Sequence, residues 1–457
     1  MTLRHHYRET ETAAPSDPLL TVARLAETHD PAACLVYERE DTWHYCAGAI
    51  AEIIVDHRHV HYSIGTDRRS IPWRGHPLPV VAQLLDALPI AQWRAYGWAA
   101  FELALLRTAG VPARRHPGRP ATAPLLHLVV PRDEVRITAG RTELRSTDAS
   151  SLAALEARLT EAVSGSALPI EQGPGVSAAV DLSTGGDAYR TLVAGAVDEI
   201  GRGSYDKVVL SRVVPVPHPV DLVNTFVLGR RNNTPARSFL LRLAGLGAAG
   251  FSPELVVTVS ADGLVRTQPL AGTRARTACA AENGRLRAEL LADVKEIHEH
   301  EISVTAATEE LATVCTPDTI TLDEYLTVKE RGSVQHLASR LSGRLAPGLR
   351  CWDAFTALFP AITVSGVPKA AAVADIARME AQPRGMYGGA VLTAAADGSL
   401  DATLVLRAVF EQGGRTWLRA GAGVVRQSDP AREMEETCEK LRSIAAYLVP
   451  ERVPAAR

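Results

Sequence analysis

A chain of mixed α and β content is what the sequence predicts, on three observations. β-rich runs such as Lys207–Val214 (KVVLSRVV) and Leu255–Val259 (LVVTV) carry the branched residues that favour strands. Other stretches, 187–200 and 430–448 among them, repeat apolar residues at helical spacing. Both kinds run along 457 residues, 46% of them hydrophobic, enough to bury one large core or several small ones. Length alone suggests about three domains.

Taken in order, residues 1–160 read as ordinary amphipathic strands and helices, broken by a Pro/Arg-rich loop at 111–124. A Gly/Ser/Pro-rich stretch, Ser164 to Gly186, precedes a helix from about Asp187 to Ile200 with Leu192, Val193, Ala196, Val197 and Ile200 at helical spacing. The Lys207 run follows, then a helix, then strands around Phe239–Leu243 and Leu255–Val259. A long helix is expected from about Leu286 to Cys315, with Leu286, Leu290, Val294 and Ile297 on one side. Strands are expected at 390–392, 402–410 and 416–420, and a closing helix at 430–448 with Asp429 as N-cap and Pro430 as first residue.

Composition narrows the function classes. A formal charge of -3 provides no basic field for nucleic acid or anionic lipid, so a small anionic ligand has to be met by local cations. The N-terminus lacks the apolar stretch of a secretory signal, and apolar runs such as Gly97–Leu106 stay near ten residues against the roughly 20 of a membrane span. A cytoplasmic location with no membrane partner is expected. Six cysteines without a C-x-x-C pair fit reduced thiols.

Three suggestive patterns carry little. Gly245-Leu-Gly-Ala-Ala-Gly250 matches a dinucleotide fingerprint, but a strand rather than a helix follows it, so a strand-to-strand turn is the better reading. His57, His59 and His61 would share a strand face, yet with no fourth ligand in view a solvated face is favoured over a metal site. His298-Glu-His-Glu301 sets its histidines two apart on a helix, pointing away from each other, which excludes a zincin site.

Two acidic clusters are more informative. Glu296 and Glu299 are three apart on one helix, and Glu433 and Glu436 repeat that spacing on the last, with Lys440 four further on. The stripe Met434, Cys438, Leu441, Ala445 and Leu448 leaves these glutamates off the apolar seam. Alone, they would read as solvated acidic faces.

Their company changes that reading. In order come Ser204-Tyr-Asp-Lys-Val-Val-Leu-Ser-Arg212, Ser252-Pro-Glu-Leu255, Pro269-Leu-Ala-Gly-Thr-Arg274, Lys295-Glu-Ile-His-Glu-His300, Gly332-Ser-Val-Gln-His336, Arg419-Ala-Gly-Ala-Gly423 and Glu433-Met-Glu-Glu-Thr-Cys-Glu-Lys440. This ordered set resembles the chorismate-utilising enzymes, the family of anthranilate, aminodeoxychorismate, isochorismate and salicylate synthases. The resemblance is dense over 187–450 and thinner over 1–186. There Gly97-Trp-Ala-Ala-Phe-Glu102, together with Ile362-Thr-Val-Ser-Gly-Val-Pro-Lys369, looks most like the salicylate-forming branch of siderophore pathways.

The resemblance implies an α+β fold, one domain over 1–457 in which two large, mainly antiparallel sheets pack under flanking helices, in place of three domains. It implies an enzyme that adds water to C2 of chorismate to give isochorismate and then expels pyruvate to leave salicylate. An isochorismate synthase without the second step, or an anthranilate or aminodeoxychorismate synthase, is the alternative. By the same resemblance Lys207 is the base toward water and Glu254 the acid toward the departing C4 hydroxyl. The base role requires Lys207 to be partly neutral, which burial or neighbouring cations can bring about. Thr273 and His336 are the further catalytic residues the resemblance implies, Thr273 bordering the ring with Gly272 and His336 near the leaving hydroxyl, where a buried structural histidine is the alternative; Gly272, Tyr387, Arg407, Gly421 and Lys440 contact substrate. Gly421-Ala-Gly423 also reads as a tight turn after the preceding strand. Glu296, Glu299, Glu433 and Glu436 resemble a Mg²⁺ shell, with Glu299 and Glu436 nearest the ion. A monomer with no glutamine amidotransferase subunit is expected.

Overall fold

In a strand, successive side chains point to opposite faces. The strand Ala33–Arg39 therefore sends Leu35 and Tyr37 to one side and Cys34 and Val36 to the other, and all four are buried. Strands this apolar on both faces need cover on both, and the computed structural model provides it. The model describes residues 6–27, 33–106, 116, 118–165, 180–332 and 334–451. Most of the 111–117 segment of the Pro/Arg-rich loop, residues 166–179 of the Gly/Ser/Pro-rich stretch, and Ser333 lie outside the described residues.

Among the described residues two sheets form, of eleven and twelve strands, and their strand pairings are antiparallel. Strands from the first 150 residues enter both, lying in the first beside Arg237–Leu243 and in the second beside Ala390–Ala395. The inner faces meet through Leu35, Tyr37, Trp98, Phe239, Val391 and Phe410. The outer face of the eleven-stranded sheet packs on the helices Pro18–Glu27, Ala149–Ser164, Leu222–Asn232 and Pro430–Ala445. The outer face of the other packs on Leu78–Asp86 and Cys351–Leu358. One domain of two packed antiparallel sheets with flanking helices results.

Four local expectations need correction. The 286–315 helix is two, Ala280–Ala292 and Val294–Ala312. Asp293 interrupts the run, its carboxylate accepting from the N–H groups of Lys295 and Glu296 as an N-cap, so Val294 is 80% exposed instead of joining Leu290 in the core. The 402–410 strand is split into Leu400–Leu404 and Ala408–Gln412 by Arg407, whose φ of 50° no strand accommodates. Gly421-Ala-Gly423 is no turn, because it continues the strand Arg415–Val424, with Gly421 opposite Ser211 and Gly423 opposite Val209. His57 precedes the strand His59–Ile64 and does not share its face with His59 and His61. The closing helix spans Pro430–Ala445 with Asp429 capping the N–H of Arg432.

Candidate active site

The strand Lys207–Val216 pairs with Arg415–Val424, on which the helix Pro430–Ala445 packs. The strand Leu270–Ala275 pairs with Val334–Arg344 and lies against the helix Val294–Ala312. These elements line a common pocket. Ten of the thirteen expected site residues line it: Glu254, Gly272, Thr273, Glu299, His336, Tyr387, Arg407, Gly421, Glu436 and Lys440. Lys207, Glu296 and Glu433 are buried just outside its wall.

Glycine is required where helix carboxylates approach the strands. A Cβ on Gly423 would stand 2.2 Å from Glu299 Oε1, and one on Gly272, at φ +75°, 3.1 Å from Glu296 Oε2.

The acidic side of the site is cross-linked by lysines. Lys207, 1% exposed, donates from Nζ to Glu299 Oε1 at 2.9 Å and to Ser303 Oγ at 3.0 Å. Lys440 meets Glu436 at 2.7 Å and the Gly421 carbonyl at 3.0 Å, and Lys295 meets Glu433 at 2.9 Å. Burial alone would raise the Glu299 carboxyl, but Lys207, Lys295 and Lys440 outweigh it and hold it below the usual range. Glu296 behaves oppositely: burial, then the charges of Glu436 and Glu299, push it up to about 7. Burial and Glu436 raise Glu433 as well.

The four glutamates are not gathered as ligands of one point. Among the described residues the only set of three His, Cys, Asp or Glu whose ligand atoms lie within 4.8 Å of one another is Asp56, His59 and His61. Lysines stand between the glutamates instead. The donor set nevertheless suits a hard divalent cation: it is all carboxylate, mutual repulsion already raises two members, and Glu433 Oε2 is buried without a hydrogen-bond partner.

Glu254 is different in kind. It is 1% exposed, and burial pushes its carboxyl up to about 8 against the opposing pull of Thr363 and Lys207, so it is protonated at neutral pH. Thr363 Oγ1 lies 2.7 Å from Glu254 Oε1, while Oε2 has no partner. Where Thr363 donates to Oε1 rather than to the Leu270 carbonyl at 3.1 Å, the acid proton falls to Oε2, on a residue that lines the cavity.

The remaining polar groups form a chain whose donor directions follow from Arg407. This guanidinium is fully buried, bonds the Arg331 carbonyl at 2.9 Å and contacts His336 Nε2, and no acidic side chain compensates it among the described residues. Burial and Arg331 lower its pKa to about 9. A guanidinium has no lone pair to offer, so Nε2 accepts and the His336 proton sits on Nδ1. Nδ1 lies 3.1 Å from Thr273 Oγ1 and 3.2 Å from the Gly272 carbonyl. Where Thr273 accepts that proton, its own O–H is left to donate into the cavity. Burial, Arg407 and Lys440 keep His336 neutral.

Sequence reasoning missed three contributors. Thr363 sits in the quoted Ile362–Lys369 stretch, but nothing in a threonine's sequence context announces a carboxyl partner 109 residues away. Arg419 lines the cavity, with its guanidinium carbon 5.6 Å from the Tyr387 ring centroid. Glu380 holds both Arg419 and Arg384 under that ring.

The chorismate binding enzyme family matches residues 30–446. A salicylate synthase from Mycolicibacterium paratuberculosis is 43% identical over 91% of this chain and 89% of its own length. An anthranilate synthase component 1 from Streptomyces coelicolor is 41% identical over 260 residues, 56% of this chain and 50% of its own length. Among solved structures, an anthranilate synthase component I from Streptococcus pneumoniae superposes with a TM-score of 0.73 at 22% identity, covering 95% of this chain and 99% of that one. The menaquinone-specific isochorismate synthase of Escherichia coli gives 0.70 at 22% identity, covering 97% and 95%. At these identities the two structures speak for the fold.

Proposed function

The chain belongs to the chorismate binding enzyme family, and from that premise we propose that it makes salicylate from chorismate by way of isochorismate. The observation that carries the reading is a buried, protonated carboxyl group and a buried lysine held by one site: Glu254, raised to about 8, and Lys207. The 43% identity to a salicylate synthase across nearly the whole of both chains supports the second step.

In the first step water adds to C2 and the C4 hydroxyl leaves. A hydroxyl leaves poorly unless protonated, and Glu254 Oε2, buried and without a protein partner, supplies that proton. Lys207 takes the proton of the attacking water. Acting as a base requires a neutral Lys207, so one ammonium proton has to leave, with Glu299 at 2.9 Å as the acceptor in reach, before Nζ can take the proton of the water. Arg407, a buried cation with no acidic partner among the described residues, binds one substrate carboxylate, to which it can donate bidentately. Lys440, Tyr387 and the backbone at Gly421 and Gly272 hold the rest. Glu299 and Glu436, with Glu296 and Glu433 beside them, would hold Mg²⁺, which supplies charge neutralisation for the ring carboxylate.

In the second step hydrogen passes from C2 of isochorismate to the enolpyruvyl methylene as the C–O bond to the ring breaks, releasing pyruvate. No protein base is required if the side chain is held folded over the ring, so the site contributes orientation. Thr273, donating into the cavity, is the residue we assign to that hold.

The test is product analysis of purified protein with chorismate and Mg²⁺. Salicylate and pyruvate in equal amounts are expected. Isochorismate accumulating without pyruvate beyond the spontaneous background would leave an isochorismate synthase, and anthranilate appearing with ammonia would overturn water as the nucleophile.

A further inference from the structure

At the far side of the molecule from this cavity, the hairpin formed by the strands Ala51–Val55 and His59–Ile64 holds a second cluster. Alternation along the sequence would put His57, His59 and His61 together; in the structure His57 falls in the turn and Asp56 stands in its place. Asp56 is pinned from several directions. Its N–H donates to the His59 carbonyl at 2.9 Å, its Oδ1 accepts the N–H groups of Arg58 and His59, both at 2.7 Å, and its carbonyl accepts Trp73 Nε1 at 3.0 Å. The Asp56 side chain is 8% exposed and turns Oδ2 to His61 Nε2 at 2.9 Å. The His59 ring lies 5.7 Å from that of His61, centroid to centroid.

We propose that Asp56, His59 and His61 form a second metal site, taking a divalent ion of borderline softness such as Zn²⁺ on one carboxylate oxygen and two imidazole nitrogens, with water completing the shell. The three ligand atoms already lie within 4.8 Å of one another. Tetrahedral zinc with bonds of about 2.0–2.2 Å sets its donors roughly 3.3–3.6 Å apart, so closure asks the ligand atoms to shift by about 1 Å, the 2.9 Å Asp56–His61 contact lengthening as the ion enters. The hydrogen bonds from two backbone N–H groups to Asp56 Oδ1 are the outer support that ligating carboxylates generally have.

The two metal sites differ in position and chemistry. In the twelve-stranded sheet Leu270–Ala275 lies at one end and His59–Ile64 is next to last at the other, nine steps away. At ~4.8 Å per step that is of the order of 40 Å along the sheet. The glutamate set is all oxygen and suits Mg²⁺, whereas imidazoles select Zn²⁺, Ni²⁺ or Cu²⁺. Zn²⁺ at the hairpin therefore does not compete with Mg²⁺ at the cavity, and this inference stands whether or not the reading of the cavity does.

The experiment is calorimetric titration of tag-free, full-length protein with Zn²⁺ in excess Mg²⁺, beside the His59→Ala/His61→Ala double variant and Asp56→Asn. One ion per chain with micromolar or tighter affinity is expected for the wild type. Affinity should fall about 10- to 100-fold in Asp56→Asn and further in the double variant, with turnover of chorismate kept as the sign that both are folded. Equal Zn²⁺ affinity in the double variant, or no wild-type binding below millimolar, overturns the proposal. Zinc-edge X-ray absorption on the wild type decides without any variant: a shell of two imidazoles and oxygens supports the site, and a sulfur shell overturns it.

Discussion

On the wall built from the helices Val294–Ala312 and Pro430–Ala445, every carboxylate that lines the cavity meets a lysine, Glu299 with Lys207 and Glu436 with Lys440. On the wall where Arg407 and His336 meet, the guanidinium is as deeply buried but bonds only neutral groups among the described residues. Burying an uncompensated charge is costly, so a site that does so leaves the compensation to its ligand. On the proposed reading the acidic wall would trade lysine contacts for a cation, and the cationic wall would take an anion. A substrate bearing two carboxylates, one beside a divalent ion, matches both needs.

Several measurements would break or sharpen that contrast. The largest effect is expected on the acidic wall. Lys207→Ala should slow chorismate consumption by about 10² to 10⁴, the usual worth of general-base help, while conversion of supplied isochorismate changes far less. Equal loss in both steps would remove Lys207 from the role of base. Glu436→Gln should abolish turnover at ordinary Mg²⁺ concentrations, since a charged ligand to a hard ion is lost; full activity of the wild type after dialysis against EDTA would exclude the metal altogether.

On the cationic wall, Arg407→Met should raise KM for chorismate roughly 10- to 100-fold, the range expected when a hydrogen bond to a charged group worth about 1.5–3 kcal/mol is removed. An unchanged KM would mean that the substrate carboxylate lies elsewhere. Between the walls, Glu254 must be protonated to act, so the hydration step should decline as pH rises through about 8. The same group links stability to pH. Its folded pKa lies above the unfolded value of ~4.3, so its contribution is fully present below that value and is lost as pH climbs through about 8. Thermal melts of Glu254→Gln should accordingly lose less stability than wild type across that interval. The smallest effect is expected from Thr363→Val, which frees Oε1 and should cost a few-fold in the first step alone, with Thr363→Ser restoring it.

Legibility in the sequence followed the range of the interactions. The two glutamate pairs and Lys440 were readable because three- and four-residue spacing fixes one helix face, and Asp429 because a cap is decided within a turn. What the spacing could not tell is which face is solvated: Glu433 is 0% exposed, and only the ordered motifs around it distinguished a site from a surface. Helical periodicity carried straight through Asp293 because a cap in mid-run looks like one more polar residue. Gly421 and Gly423 read as a turn because nothing local reveals a strand opposite, with the Leu210 carbonyl 2.4 Å from where a Gly421 Cβ would lie. Thr363 was invisible as a contributor for the same reason, and so was the hold of Glu380 on Arg419, 39 residues further on.

Arg407 carries a last consequence. Its φ of 50° is one that glycine adopts freely and arginine does not, at a cost of about 1–3 kcal/mol, and its charge is buried without an anion. Arg407→Gly would relieve both burdens and, on the proposed role of this residue, leave a chain that is harder to unfold but binds its substrate poorly. A library screened for heat resistance alone would collect that change early, so any thermostable descendant of this enzyme has to be selected on turnover to keep the residue it can least comfortably hold.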